Sequence, residues 1–380
     1  MPSPKVLLDA TAVPAARGGV GRYVDELAAA LDGGGGLSIA CQQRDADTFS
    51  TRAPQARVVA LSGRLASRPA RLGWEQTGLP MLARRLKVDV VHSPHYTMPM
   101  ASPVPVVVTL HDATFFSDRE LHLGVKGRFF RGWTKYSLRH AAVCVVDSAA
   151  TGDELVRLAS ADPAKLQVGH LGVDRDRFAV PDAGQVRAAR DHLGIGDRKY
   201  LAFLATHEPR KNIPALVAGF VRAAGALADP PVLVLAGAPG WDRTIDDAVA
   251  GVPDRLTVLR PGYLPVELLA GYLGGAEIVT YPSLGEGFGL PVLEGMACGA
   301  AVLTTRRLSL PEVGGDAVAY CEPDEADIAR AITDLLDRPE LRAELGRRGV
   351  QRAALFSWQA CAEACREAYQ RAVATSGAAR

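Results

Sequence analysis

Short apolar runs recur at 6–10, 88–92, 104–110 and 142–147, and again at 199–204, 232–236, 255–259, 276–280 and 301–304. None alternates apolar with polar positions, which is the pattern of parallel strands buried on both faces. Helical periodicity separates most of them, so the chain predicts an α/β protein built from crossover units. The runs fall into two series. We therefore expect two Rossmann-like, doubly wound parallel-sheet domains, residues 1–180 and 181–356, followed by a last helix in 357–380. Residues 32–85 are the weakest part of the pattern. There the tetraglycine 33–36 reads as a surface loop, and the six basic residues between 64 and 87, against the single acid Glu75, read as a solvated helix face.

Composition changes this picture little. The 380 residues are 48% hydrophobic and 22% charged, with a net charge of +1, an ordinary globular balance that gives no reason to expect nucleic acid as partner. The charge is uneven, however: residues 1–180 carry five more cations than acids, and 181–380 four more acids than cations. A basic helix is expected over 125–140. The six cysteines show no C-x-x-C pair or zinc spacing and suit buried thiols in a reducing compartment. No signal-peptide pattern opens the chain and no apolar run is long enough to span a bilayer, so we expect a cytoplasmic protein, at most peripheral to a membrane.

The candidate chemistry lies mainly in the second series. The run 276–280 leads into Tyr281-Pro-Ser-Leu-Gly-Glu286-Gly287-Phe288-Gly289-Leu290-Pro291 and then a helix carrying Glu294. Free amides near Gly287 to Leu290 at a helix N-terminus favour an anion. Pro291 suits the first helical position, and two carboxylates flanking the turn can accept hydrogen bonds from hydroxyls. Amides for phosphate and carboxylates for hydroxyls suit a sugar nucleotide; the plainer alternative is a tight turn with a dipole-favoured acid. After the run 199–204 comes Glu208-Pro-Arg210-Lys211-Asn212, two cations at a strand end beside a helix, which suits a diphosphate. In the first series His95, His111 and Asp112 stand at strand ends, where side chains point into the crevice of a doubly wound sheet.

The spacing Glu-x7-Glu within E-G-F-G-L-P-V-L-E, together with E-P-R-K-N, resembles the retaining glycosyltransferases of family 4, which have the GT-B fold of two Rossmann-like domains facing a central cleft. The likeness runs over nearly the whole chain and is strongest over 199–322. Trp74-Glu-Gln-Thr-Gly-Leu-Pro80 is similar to a string in the family's mannosyltransferase-like branch. The resemblance implies transfer of a hexose-type sugar from a UDP- or GDP-linked donor to an acceptor hydroxyl. It implies no metal and no cofactor, the leaving phosphate itself taking the acceptor's proton. His111, Glu286, Arg210 and Lys211 then become the catalytic set. Gly19, Tyr263, Leu264, Gly287, Phe288, Gly289, Leu290 and Glu294 contact the donor, the loop 260–265 meeting the base and Glu294 the ribose. Gly18, His95 and Asp112 face the acceptor, and the last helix crosses back onto the first domain. One departure stands out: several relatives carry a further arginine where this chain has Ala205-Thr206, which leaves Arg210 to supply the guanidinium.

Other readings remain open at this level. Arg17-Gly-Gly-Val-Gly-Arg after the first strand lacks the G-x-G-x-x-G of a nicotinamide site. Asp45-Ala-Asp47 and Asp174-Arg-Asp176 could hold a metal, but neither is expected to follow a core strand. Glu286 is the one candidate nucleophile for a double displacement. An epimerase or sugar-nucleotide binder could use the same scaffold. The acceptor is a cell-envelope glycan or glycolipid, with a soluble natural product as the alternative.

Overall fold

The computed structural model describes residues 3–15, 17–117 and 124–378. It divides into two compact units, Met1–Gly172 with Ser357–Arg380, and Val173–Phe356.

The first unit is built on a seven-stranded parallel sheet: β1 (Val6–Asp9), β2 (Leu37–Gln42), β3 (Arg57–Leu61), β4 (Val90–Ser93), β5 (Val106–Leu110), β6 (Val143–Val146) and β7 (Leu166–Val168), in the order β3-β2-β1-β4-β5-β6-β7. The order reverses between β1, which pairs with both β2 and β4, and its neighbours. In such a sheet that reversal is where strand ends and helix starts converge on a ligand. β1, β4, β5 and β6 coincide with the apolar runs and are buried throughout. β2, β3 and β7 were not expected. β2 (LSIACQ) breaks the apolar pattern with Ser38 and Gln42, yet all six residues are buried because its backbone pairs on both sides. β3 and β7 are edge strands with part-exposed residues, and an edge demands less apolar character.

The last helix, Trp358–Ala378, packs against the helix Gly19–Leu31 and against β4 to β7. The chain changes units at Gly172 rather than at 180. A side chain at Gly172 would lie 2.2 Å from the backbone nitrogen of Trp358, so only glycine lets the two passing segments touch. Val173 then hydrogen-bonds Phe356 (3.3 Å), and Phe178 is buried, so 173–180 is structurally part of the second unit.

The second unit has six parallel strands: β8 (Tyr200–Leu204), β9 (Val232–Ala236), β10 (Thr257–Gly262), β11 (Ile278–Tyr281), β12 (Val302–Thr305) and β13 (Ala319–Cys321), ordered β10-β9-β8-β11-β12-β13. The reversal lies between β8 and β11. β13 was not expected, being a three-residue edge. β10 runs on to Gly262 past an irregularity after Leu259, so Arg260 to Gly262 belong to a strand rather than to the expected loop. At the ends of β8 and β9 the backbones nearly touch: a side chain at Gly237 would meet the Ala205 carbonyl at 1.8 Å, and one at Gly240 the His207 carbonyl at 1.9 Å.

One expectation about acids is corrected. Asp45 directly follows the buried strand β2, but it accepts from Arg17 (2.9 Å), which also holds Asp25 (2.9 Å), so it is half of an ion-pair cluster. The helix Ala149–Ala159 has no acid in its first turn; Ser148 caps it by accepting from the Thr151 amide.

Candidate active site

In the second unit the turn after β11 enters the helix Leu290–Ala297. Gly289 is its N-cap at φ +107°, a left-handed conformation that favours glycine, and a side chain there would meet Leu310 at 2.9 Å. Leu290 takes the first helical position, so Pro291 stands one place later than expected. The turn is held from outside. Ser309 Oγ lies 2.8 Å from the carbonyls of both Glu286 and Phe288, and Thr305 Oγ1 donates to Ser283 (2.7 Å).

Across the sheet reversal, the short turn Pro209–Lys211 after β8 brings both cations onto Glu286. Lys211 Nζ donates to Glu286 Oε1 at 2.7 Å and to Tyr281 Oη at 2.5 Å. The same Oε1 accepts from Ser283 Oγ (2.6 Å) and Tyr281 Oη (3.0 Å). Arg210 pairs with the other carboxylate oxygen and donates to the Gly285 carbonyl (2.7 Å). Lys211 and Glu286 are each 6% exposed. Burial alone would raise the Glu286 pKa, but Arg210 and Lys211 outweigh it and hold the carboxylate at about 2. The two cations, held by Glu286 and, through Arg210, by Glu208 (3.6 Å), thus form an ion-pair cluster beside the start of a helix, whose dipole favours an incoming anion.

Glu294 is buried one turn into that helix, and Phe288 packs edge-on against Phe356 (5.8 Å between centroids). Tyr263 is 70% exposed, whereas its neighbour Leu264 is buried. Asn212, at φ +58°, donates to the carbonyls of Pro323 (2.7 Å) and Pro282 (3.2 Å), tying the cation turn to the turn after β11.

In the first unit His111 ends β5 and is buried. Its Nδ1 lies 2.9 Å from Asp147 Oδ2 and its Nε2 2.9 Å from the Pro94 carbonyl. Both partners accept and neither donates while Asp147 is ionised, an arrangement that suits a ring protonated on both nitrogens. Burial opposes that charge, but Asp147 and the Pro94 carbonyl prevail and lift the pKa above its ordinary value. Burial likewise raises the Asp147 carboxyl, with His111 opposing. A histidine so held is favoured in its charged form.

Asp112 caps the next turn, its Oδ1 accepting from Thr114 N (3.1 Å) and Oγ1 (2.8 Å). His95 sits at the end of β4 with a buried Nδ1 that has no hydrogen-bond partner among the described residues. Gly18 is the N-cap of the helix Gly19–Leu31, and side chains at Gly18 and Gly19 would meet nothing within 4 Å.

The sequence reading missed Asp147 as the partner of His111, and Tyr281, Ser283, Thr305 and Ser309 as supports of the glycine turn. Tyr-Pro-Ser before Gly-Glu was a visible signal for two of these; Asp147, Thr305 and Ser309 lie too far along the chain for spacing to connect them.

Two family models match the chain, Glycosyltransferase Family 4 over residues 17–177 and Glycosyl transferases group 1 over 186–352. The O-antigen chain mannosyltransferase B of Escherichia coli is 29% identical over 292 residues, 76% of this chain and 75% of that protein. A D-inositol 3-phosphate glycosyltransferase of Mycobacteroides abscessus is 35% identical over 242 residues, 60% of this chain and 52% of the relative. The chain thus spans about half the length of that relative. Among solved structures, Anabaena Alr3699/HepE in complex with UDP and glucose superposes with a TM-score of 0.75 at 15% identity, covering 98% of this chain and all of that one. WaaG, a glycosyltransferase involved in lipopolysaccharide biosynthesis, gives 0.73 at 14% identity, covering 95% and 98%. At these identities the likeness establishes the fold.

Proposed function

Because the chain belongs to glycosyltransferase family 4 and has the GT-B fold, we propose that it moves a hexose-type sugar from a UDP- or GDP-linked donor to an acceptor hydroxyl, with retention at the anomeric carbon. The observation that carries this reading is the buried Arg210–Lys211–Glu286 cluster beside the N-terminus of the helix Leu290–Ala297. As the sugar–phosphate bond breaks, negative charge grows on the leaving diphosphate. Two cations already gathered at the site and the positive end of the helix dipole stabilise that charge. The diphosphate draws the cations from Glu286, whose carboxylate then accepts from sugar hydroxyls; buried Glu294 accepts from the ribose. The cations take the place of a metal. With Tyr281 and Ser283 still donating to its Oε1 once the cations are drawn away, Glu286 stays hydrogen-bonded and is a poor nucleophile. This favours proton acceptance by the leaving phosphate over a double displacement.

The open space at Gly18 and Gly19 supports close approach of a ligand to the start of their helix. For the acceptor, a cell-envelope glycan or lipid-linked sugar is favoured by the helix Gly124–His140. It carries Arg128, Arg131, Lys135 and Arg139 with no acid, and the rings of Phe129, Trp133 and Tyr136 follow one another along it, the last two edge to face. Exposed cations beside aromatic rings suit peripheral contact with an anionic surface.

The test is calorimetric titration with UDP and GDP in EDTA, on the wild type and on Glu294→Ala, followed by transfer assays with the sugar nucleotide of the base that binds. Metal-independent binding of one nucleotide, weakened by the substitution, supports the donor site. Turnover of donor without any acceptor, giving an epimerised sugar nucleotide, would sink the transferase reading.

A further inference from the structure

Behind His111 the first unit buries a line of polar groups that the reaction as proposed does not use. Tyr369, on the last helix, places its hydroxyl 2.8 Å from His92 Nδ1, and His92 Nε2 lies 2.8 Å from Thr109 Oγ1. Thr109 Oγ1 is in turn 2.9 Å from the Tyr23 hydroxyl. The Tyr23 ring meets the His111 ring edge to face, centroids 4.8 Å apart at 79°. Tyr23, His92 and Thr109 are wholly buried, and Tyr369 is nearly so.

Burial and the neighbouring His111 charge hold His92 at about 3, so its ring is neutral, with one nitrogen donating and the other accepting. Three hydrogen bonds among four groups are therefore satisfied in either of two concerted directions, and no member can leave without stranding its neighbour. Such a line costs more to bury than an apolar core of the same shape and repays the cost by fixing geometry. Its four members come from the helix Gly19–Leu31, from β4, from β5 and from the last helix. What it fixes is the Tyr23 ring, and Tyr23 is the aromatic wall of His111.

We infer that Tyr369, His92, Thr109 and Tyr23 are positioning residues that hold the His111 ring in place, making the last helix part of the machinery as well as of the core. The inference rests on the transferase reading and on the catalytic role that the resemblance implies for His111, and adds residues that neither motif nor resemblance singles out. Because the Tyr23 ring packs directly on the His111 ring, displacing it changes the surroundings in which His111 titrates, a signature that packing elsewhere lacks.

The test compares Thr109→Val, Thr109→Ser and Tyr369→Phe in the full-length chain. Histidine ring carbon NMR follows the His111 titration, assigned by the signal lost in His111→Gln, and transfer kinetics are measured alongside. Expected for Thr109→Val are a shifted His111 midpoint and a kcat reduced roughly 10- to 100-fold with donor KM unchanged. Thr109→Ser, which keeps the hydroxyl, restores both. If Thr109→Val lowers the melting temperature but leaves the His111 titration at its wild-type value, the line is core packing and the inference falls. Should Thr109→Val fail to fold, Tyr369→Phe, which keeps the ring, decides on the same two readouts. A wild type that transfers no sugar would instead count against the proposed function, and the titration would still judge the network.

Discussion

Lys211 and Glu286 stand 75 positions apart and share one hydrogen bond in a nearly dry setting. A buried ion pair contributes little net stability while intact, but removing one partner leaves the other charge uncompensated, at a cost of about 3 to 5 kcal/mol. Glu286→Ala is therefore expected to lower the unfolding free energy by that amount, and saturating nucleoside diphosphate to recover part of the loss by supplying the missing negative charge. Denaturant titration with and without nucleotide checks both. His111 gives a pH prediction of definite sign. Its folded pKa is raised above the ordinary 6.5, so its stabilising contribution is complete below that value and is lost as pH rises through the folded pKa. Melting curves of wild type and His111→Gln should differ most below the ordinary value of 6.5 and converge as pH rises through the folded pKa. An unchanged gap would show that the ring is neutral throughout.

At the scale of elements, the glycine turn after β11 was legible because its causes are local. An apolar run, a left-handed glycine and a proline near a helix start are each set by neighbours along the chain. What holds the turn was not legible. Ser309 reaches back 23 and 21 positions to the carbonyls of Glu286 and Phe288, a pairing that exists only once β12 lies beside β11. Ser309→Ala should destabilise the unit by about 1 to 3 kcal/mol, since it strands buried carbonyls, and should weaken nucleotide binding; thermal melts and calorimetry would read the two. Strand β2 makes the same point in reverse. Its Ser38 and Gln42 argue against a core strand in isolation, whereas two flanking strands satisfy the backbone and bury it.

For the molecule as a whole, the final helix carries a consequence that truncation can test. Cys361, Cys365, Ala368, Tyr369 and Ala372 are buried although they lie in the last 20 or so residues, and the helix packs on four strands of the first unit. Ending the chain at Phe356 would expose those strands and leave His92 without its Tyr369 partner. The first unit is then expected to lose cooperative unfolding and become protease-sensitive, while 173–356, which has its own sheet and core, keeps a sharp transition. Calorimetry with limited proteolysis distinguishes this from global collapse.

The alternation of strand and helix, the two-domain plan, the glycine turn and the candidate cations follow from the sequence alone, because periodicity and backbone sterics act over a few residues. Burial and partnership are decided by the tertiary structure. Whether Arg210 and Lys211 are solvated or locked on an acid, whether His111 stands free or is paired with Asp147, and whether His92 faces water or Tyr369 all depend on which distant segments the sheets bring together. The energy of a charge is set by the medium and the neighbours it meets there, not by its position in the chain.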